Sequence, residues 1–128
     1  IFGAPLPLDD HAACAVRAAL EMTELIELFN QDRQFGDKPT IAIGVGIATG
    51  EMVAGYTGTQ SRATYTCIGD TVNLAARLEA HTKVAKRTIL IDDATRCALP
   101  GSVVCDAMEP VQFKGKAAAV EVFALRPG

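Results

Sequence analysis

Along the first third of the chain, apolar residues recur at spacings of three and four. Ala15, Ala19, Met22, Ile26 and Phe29 form one stripe of a helix expected from about His11 to about Gln31, while Arg17, Glu21, Glu24 and Glu27 lie away from it. That stripe should rest on a sheet. Before it, Ile1-Phe2-Gly3-Ala4-Pro5 reads as a strand tail and turn, Pro5 and Pro7 keep the link extended, and Asp9 or Asp10 caps the helix. Asn30 to Pro39 reads as a polar loop. From Thr40 to Thr49 the period changes to two: Ile41, Ile43, Val45 and Ile47 alternate with Ala42, Gly44, Gly46 and Ala48. This is a strand with one bulky face and one bare face, which lets another backbone or a ligand approach closely. Thr49-Gly50-Glu51 is then expected to turn into a second strand, Met52 to Tyr56, making a hairpin, and Thr57 to Ser61 turns again.

Tyr65 to Ile68 is β-branched and aromatic, breaks at Gly69, and restarts as a helix with Asp70 or Thr71 as its N-cap. Advancing about 100° per residue, the apolar arc takes in Val72, Leu74, Ala75, Ala76 and Leu78, with Glu79 at a frayed end. Asn73 and Arg77, one turn apart, share the remaining narrow stripe. His81 to Arg87 reads as a polar turn, Thr88 to Ile91 as a short buried strand, and Asp92 as the cap of a short helix through about Ala98. Val103 to Phe113 is extended, with Pro110 marking an edge or bulge. Lys114-Gly115-Lys116 turns into a last strand, about Ala119 to Leu125. This order implies an α+β sandwich with helices on one sheet face.

At 128 residues the chain makes one domain with no internal repeat or linker, and it reads as part of something longer because it opens at Ile1 without Met. A net charge of −3 removes the clustered basic field that nucleic-acid binding needs, so no nucleic-acid partner is expected. No apolar run approaches the roughly 20 residues of a membrane span. Cys14, Cys67, Cys97 and Cys105 form no CxxC pair, and with only His11 and His81 beside them no zinc spacing arises; a reducing, cytoplasmic setting follows. Gly44, Gly46 and Gly50 do not make a dinucleotide fingerprint, because strand follows them where that motif opens a helix. A P-loop is absent as well.

From the pattern alone, Asn73 and Arg77 read first as a solvated face and second as a pair of groups kept for a ligand. The whole string Ile68-Gly69-Asp70-Thr71-Val72-Asn73-Leu74-Ala75-Ala76-Arg77-Leu78-Glu79 resembles the signature of the class III nucleotide cyclases, the adenylyl and guanylyl cyclase catalytic domain. The resemblance extends upstream through Gly44 to Glu51 and Val53-Ala54-Gly55, and downstream to Phe113-Lys114-Gly115-Lys116, covering nearly the whole chain.

The resemblance implies a ferredoxin-like catalytic core spanning residues 1–128, lacking its N-terminal strand or strands. It implies cyclisation of a nucleoside triphosphate at the interface of a head-to-tail homodimer. Arg77 matches the transition-state arginine and Asn73 the residue that orients the ribose. Lys114 matches a lysine on the terminal phosphates, although Lys-Gly-Lys turns are also commonly just solvated. Arg62 is a lesser phosphate candidate, ranked below a plain surface arginine. Thr66 matches the purine-reading position and points to ATP, since guanylyl cyclases carry Cys there; a β-branched residue that simply suits a strand remains the alternative. Two divalent ions, Mg²⁺ or Mn²⁺, are implied, with their aspartates and the purine-contacting lysine upstream of Ile1, so residues 1–128 alone are expected to be inactive. Regulatory domains are expected elsewhere in the full-length protein. Competing expectations are guanylyl cyclase activity and a catalytically silent dimerisation or nucleotide-sensing module; a diguanylate cyclase lacks support because its Gly-Gly-Asp/Glu-Glu-Phe turn is missing.

Overall fold

The computed structural model describes residues 2–3, 9–59, 62–114, 116 and 118–126, with backbone alone at residue 57 and residues 62–66. The expected turn at Pro5 and Pro7 lies outside the described residues. The first helix, α1, runs His11–Phe35, a turn longer than its apolar stripe suggests. Asp10 occupies its cap position without a side-chain cap bond. Only the N-terminal half of α1 meets the core, through Ala12, Val16 and Ala19. Met22 and Phe29, expected on the buried stripe, are 46% and 44% exposed. The strand beneath, β1 (Val45–Ile47), has three residues, so α1 overhangs it and leaves Leu25, Leu28 and Phe35 largely in solvent.

The strand expected over Thr40 to Thr49 pairs only along β1. Its neighbour in the sheet, β4 (Ile89–Asp92), begins too late to pair with residues 40–44. Instead the Asn30 side chain clamps Ile41: its amide donates to Ile41 O at 2.7 Å and its carbonyl accepts from Ile41 N at 2.8 Å. β1 also does not form the expected hairpin with the next strand. It runs parallel to β4, with Val45 opposite Ile89 and Ile47 opposite Ile91. The hairpin is made by β2 (Val53–Thr59) and β3 (Arg62–Ile68), a separate two-stranded sheet whose ladder runs from Val53↔Ile68 to Thr59↔Arg62.

Helix α2 spans Asp70–Ala85, so the polar turn expected at His81 to Arg87 is mostly helix and Glu79 lies mid-helix. Thr82 explains the misreading: it is buried, and its hydroxyl donates to Glu79 O at 2.6 Å, which satisfies its polarity inside the helix. The helix ends where Lys86 turns left-handed at φ 58°. Its start is capped by Gly69, and neither Asp70 nor Thr71 makes a side-chain cap bond. Short α3 (Asp93–Cys97) begins as expected, with the Asp92 carboxylate accepting from Thr95 N at 2.9 Å.

The main sheet has the order β1-β4-β6-β5, with β5 (Cys105–Ala107) and β6 (Val122–Leu125) antiparallel at the far edge. Every residue of β4 is buried. Ile89 and Ile91 pack with Val16 and Ala19 of α1, Ile47 and Leu125; Leu90 packs with Leu74 and Leu78 of α2, Val122 and Ala124. Because side chains alternate along a strand, α1 and α2 cover opposite faces, which corrects the expectation of helices on one face. A strand buried on both sides is uniformly apolar, and such a run does not tell from which side each helix comes. The bare face of β1 receives α2: a Cβ on Gly44 would overlap Thr82 Oγ1, and one on Gly46 would overlap Ala75 O and Glu79 N.

Candidate active site

Close packing on Gly44 and Gly46 fixes how α2 lies, and therefore which of its sides faces away from the sheet. Leu74, Leu78 and Thr82 point into the protein; Asn73 is exposed and Arg77 half-buried on the outer side. The spacing of four brings their Cβ atoms to about 5–6 Å of one another. Arg87, Arg96 and Arg126 each pair with an aspartate, and Arg33 lies over the Phe29 ring and donates to Pro39 O. Among the described residues, neither Asn73 nor Arg77 has a side-chain hydrogen bond or ion pair. A half-buried guanidinium held this way presents its planar donors to an anion from outside.

Phe113, the residue before Lys114, reaches α2. About 40° round the helix from Arg77, by 100° per residue, comes His81, whose ring meets Phe113 edge-on at a centroid distance of 5.7 Å and 86°. Phe113 also packs on the cluster of Leu74 and Leu78. The turn that follows it is closed by Lys116 N donating to Phe113 O at 3.1 Å and by the Gln112 amide donating to Lys116 O. Lys114 is exposed on this turn. The side chains of Arg62 and Thr66 lie outside the described residues; the backbone ladder sets position 66 opposite Gly55 and Cys67 opposite Ala54.

A groove of about 600 Å³ lies elsewhere. It follows the outer edge of β1 between α1 and α2 and is walled by Ala12, Ala15, Ile47, Val72 and Ala75, with Glu51 and Cys67 at its rim. Val72 and Ala75 face away from Asn73 and Arg77 on the helix, and among the described residues His11 but no Lys or Arg lines the groove. The sequence reading did not include this groove, nor the bonds joining Thr49, Thr95 and Asp92. No three His, Cys, Asp or Glu side chains among the described residues converge as metal ligands. Asp92, the buried carboxylate, is already engaged by Thr95 through both its amide and its hydroxyl.

Known proteins share this sequence and fold. Residues 1–126 match the family described as "Adenylate and Guanylate cyclase catalytic domain". The chain is 33% identical to "Adenylate cyclase 1" of Rhizobium meliloti over 96% of its length and 34% identical to "Adenylate cyclase" of Anabaena cylindrica over 92%. It spans only 18% and 25% of those relatives. Among solved structures, the guanylyl cyclase Cya2 superposes with a TM-score of 0.84 at 31% identity, covering 97% of this chain and 62% of that one. The adenylyl cyclase CyaB from P. aeruginosa superposes with a TM-score of 0.85 at 28% identity, covering 98% and 64%. The expected class III cyclase fold is borne out, with its helices on both sheet faces, and the chain belongs to the adenylyl and guanylyl cyclase catalytic domain family.

Proposed function

We propose that the chain is the catalytic module of an adenylyl cyclase that converts ATP to 3′,5′-cyclic AMP and pyrophosphate. The ribose 3′-oxygen bonds to the α-phosphorus as the bond from that phosphorus to the pyrophosphate oxygen breaks, and the hydroxyl proton is released. Arg77 stabilises the charge that builds on the α-phosphate oxygens, Asn73 holds the ribose in line, and Lys114 neutralises the terminal phosphates. Thr66 reads the purine edge and Arg62 adds a phosphate contact. The observation that carries this reading is the half-buried Arg77, without a side-chain partner among the described residues, beside Asn73 on one side of α2.

Divalent ions are the family's implied cofactor, but no three His, Cys, Asp or Glu side chains among the described residues converge to hold one. We assign the complete enzyme to a head-to-tail homodimer and its regulatory domains to residues outside this chain; the length of the curated relatives supports the second assignment. Free thiols at Cys14, Cys67, Cys97 and Cys105 fit a reducing cytoplasmic setting, and among the described residues no helix is long and apolar enough to cross a membrane. Adenine as the base rests on Thr66 and on the two relatives named adenylate cyclases; the likeness to Cya2, named a guanylyl cyclase, makes GTP the competing substrate. The test is to give the full-length protein ATP and GTP together and measure both cyclic products. Cyclic AMP in excess is expected. Excess cyclic GMP overturns the base assignment, and neither product from folded protein overturns the activity in favour of a silent dimerisation module.

A further inference from the structure

The hydroxyl of Thr71 is not used where a helix start would ordinarily use it. The helix is capped by Gly69 at φ 141° with no side-chain cap bond. Thr71 Oγ1 instead donates, at 2.8 Å, to the carbonyl of Glu51 in the turn between β1 and β2. One glycine allows this approach by its bareness and another by its backbone: a Cβ on Gly50 would lie 2.6 Å from Thr71 Oγ1, and Gly69 takes a positive φ of 141° that side chains rarely adopt. The other end of the turn is fastened too. Thr49 N donates to Asp92 Oδ1 at 3.4 Å, and Thr49 Oγ1 meets Thr95 Oγ1 at 2.7 Å. Thr95 spends its single hydroxyl proton on Asp92 Oδ1 at 2.6 Å, so Thr49 is the donor of that pair. A run of bonds therefore leads from the buried cap of α3, through residues 49–51, to the first turn of α2.

We propose that Thr71 is a positioning residue for the cyclase reaction: its bond to Glu51 sets the height and rotation of the first turns of α2, and so the aim of Asn73 and Arg77. The inference rests on the roles given above to those two residues. Asn73 N bonds back to Gly69 O at 3.1 Å, so its position follows that of the helix start. Leu74 and Leu78 hold the rest of the helix on the sheet. Loss of the hydroxyl frees the first turn, whose remaining N–H groups have no side-chain cap to order them. A shift of about 1 Å in groups aimed at a reacting centre costs on the order of 100-fold in rate. That loss falls on turnover, because the contacts concerned mature in the transition state.

The test compares Thr71→Val, Thr71→Ser and Gly50→Ala in the full-length protein with Thr23→Val. The last removes a similar bond on α1, from Thr23 Oγ1 to Ala19 O at 2.9 Å. Thr71→Val is expected to lower kcat roughly 10- to 100-fold with KM unchanged and to speed amide exchange in residues 70–74. Thr71→Ser and Thr23→Val keep wild-type values of both. Gly50→Ala drives a methyl against the hydroxyl, should reproduce Thr71→Val, and decides the matter if Thr71→Val does not fold. Turnover in folded Thr71→Val equal to that of Thr23→Val overturns the proposal. A serine variant as impaired as the valine one, or normal turnover in Gly50→Ala, does the same. If the wild type makes no cyclic nucleotide, the function fails and exchange alone judges the latch: faster exchange in Thr71→Val but not Thr23→Val sustains it, and equal exchange overturns it.

Discussion

Gly46 of β1 lies directly against the backbone of α2 at Ala75: a Cβ there would overlap the Ala75 carbonyl oxygen and the Glu79 nitrogen, and would lie 2.9 Å from Leu78 Cβ. Any side chain at position 46 pushes away the helix that carries Asn73 and Arg77. Gly46→Ala should therefore destabilise the protein by about 1–3 kcal/mol through overpacking, and Gly46→Val by more. The reading is a lower denaturant midpoint at unchanged slope. A wild-type midpoint in Gly46→Ala would mean that α2 does not press on β1.

That contact also marks how far the sequence could be read. The alternation of large and tiny residues from Ile41 to Ala48 announced a bare strand face open to another backbone, and α2 is that backbone. The break at Gly69 and the cap at Asp92 were equally legible, because both act within a few residues. Pairing was not. β1 finds its partner in β4, 44 residues on at Val45↔Ile89, while the local turn at Thr49-Gly50-Glu51 suggested a hairpin that does not form. The last turn of α2 was hidden by its polar composition, since Thr82 is buried through a bond inside the helix. The stripe of Asn73 and Arg77 could be seen from spacing alone, but the use of Thr71 by Glu51 bridges 20 residues and leaves no periodic trace.

Arg77→Ala and Asn73→Ala should each lower turnover in the full-length protein far more than they weaken nucleotide binding. Removing one preorganised donor at a developing charge costs roughly 3 kcal/mol, about 100-fold in kcat. Neither side chain has a partner among the described residues to lose, so stability should stay close to wild type. Steady-state kinetics beside thermal melts separate the two effects. Near wild-type turnover in folded Arg77→Ala would remove it from the reaction.

Asp106 should give the domain a specific acid sensitivity. Hydrogen bonds from Arg126 and then Arg87 hold its carboxyl at about 2, below its ordinary 3.8. The contacts are 2.8 Å from Arg87 Nη2 and 2.6 Å from Arg126 Nη2, and they tie the β5–β6 edge to the end of α2. A folded-state value below the unfolded one contributes stability that is complete above about pH 4. That contribution is lost as the pH falls through about 2. Asp106→Asn should thus be less stable than wild type at neutral pH, with the gap closing between those limits. The gap should be small, because the cluster is partly exposed, and smaller still in high salt. Denaturation curves over this range provide the check; a gap independent of pH would mean that the arginines do not hold the carboxylate.

Lys114 is expected to act on binding rather than on turnover. It stands exposed on a turn held to α2 by Phe113, and its compact charge suits phosphates that change little between bound substrate and transition state. Lys114→Ala should raise KM for the nucleotide about tenfold, the value of one lost charge-assisted contact of roughly 1.5 kcal/mol. Its kcat should change little. Phe113→Ala should move KM in the same direction while Lys114 is still present, because it removes the edge-on contact with His81 and frees the turn. Combining the two changes should then raise KM no further than Lys114→Ala alone, since a loosened turn has no charge left to misplace. Measured saturation curves for the single and double variants decide this. If the two effects simply multiply, Phe113 does not work through Lys114, and the turn reaches its position by some other support.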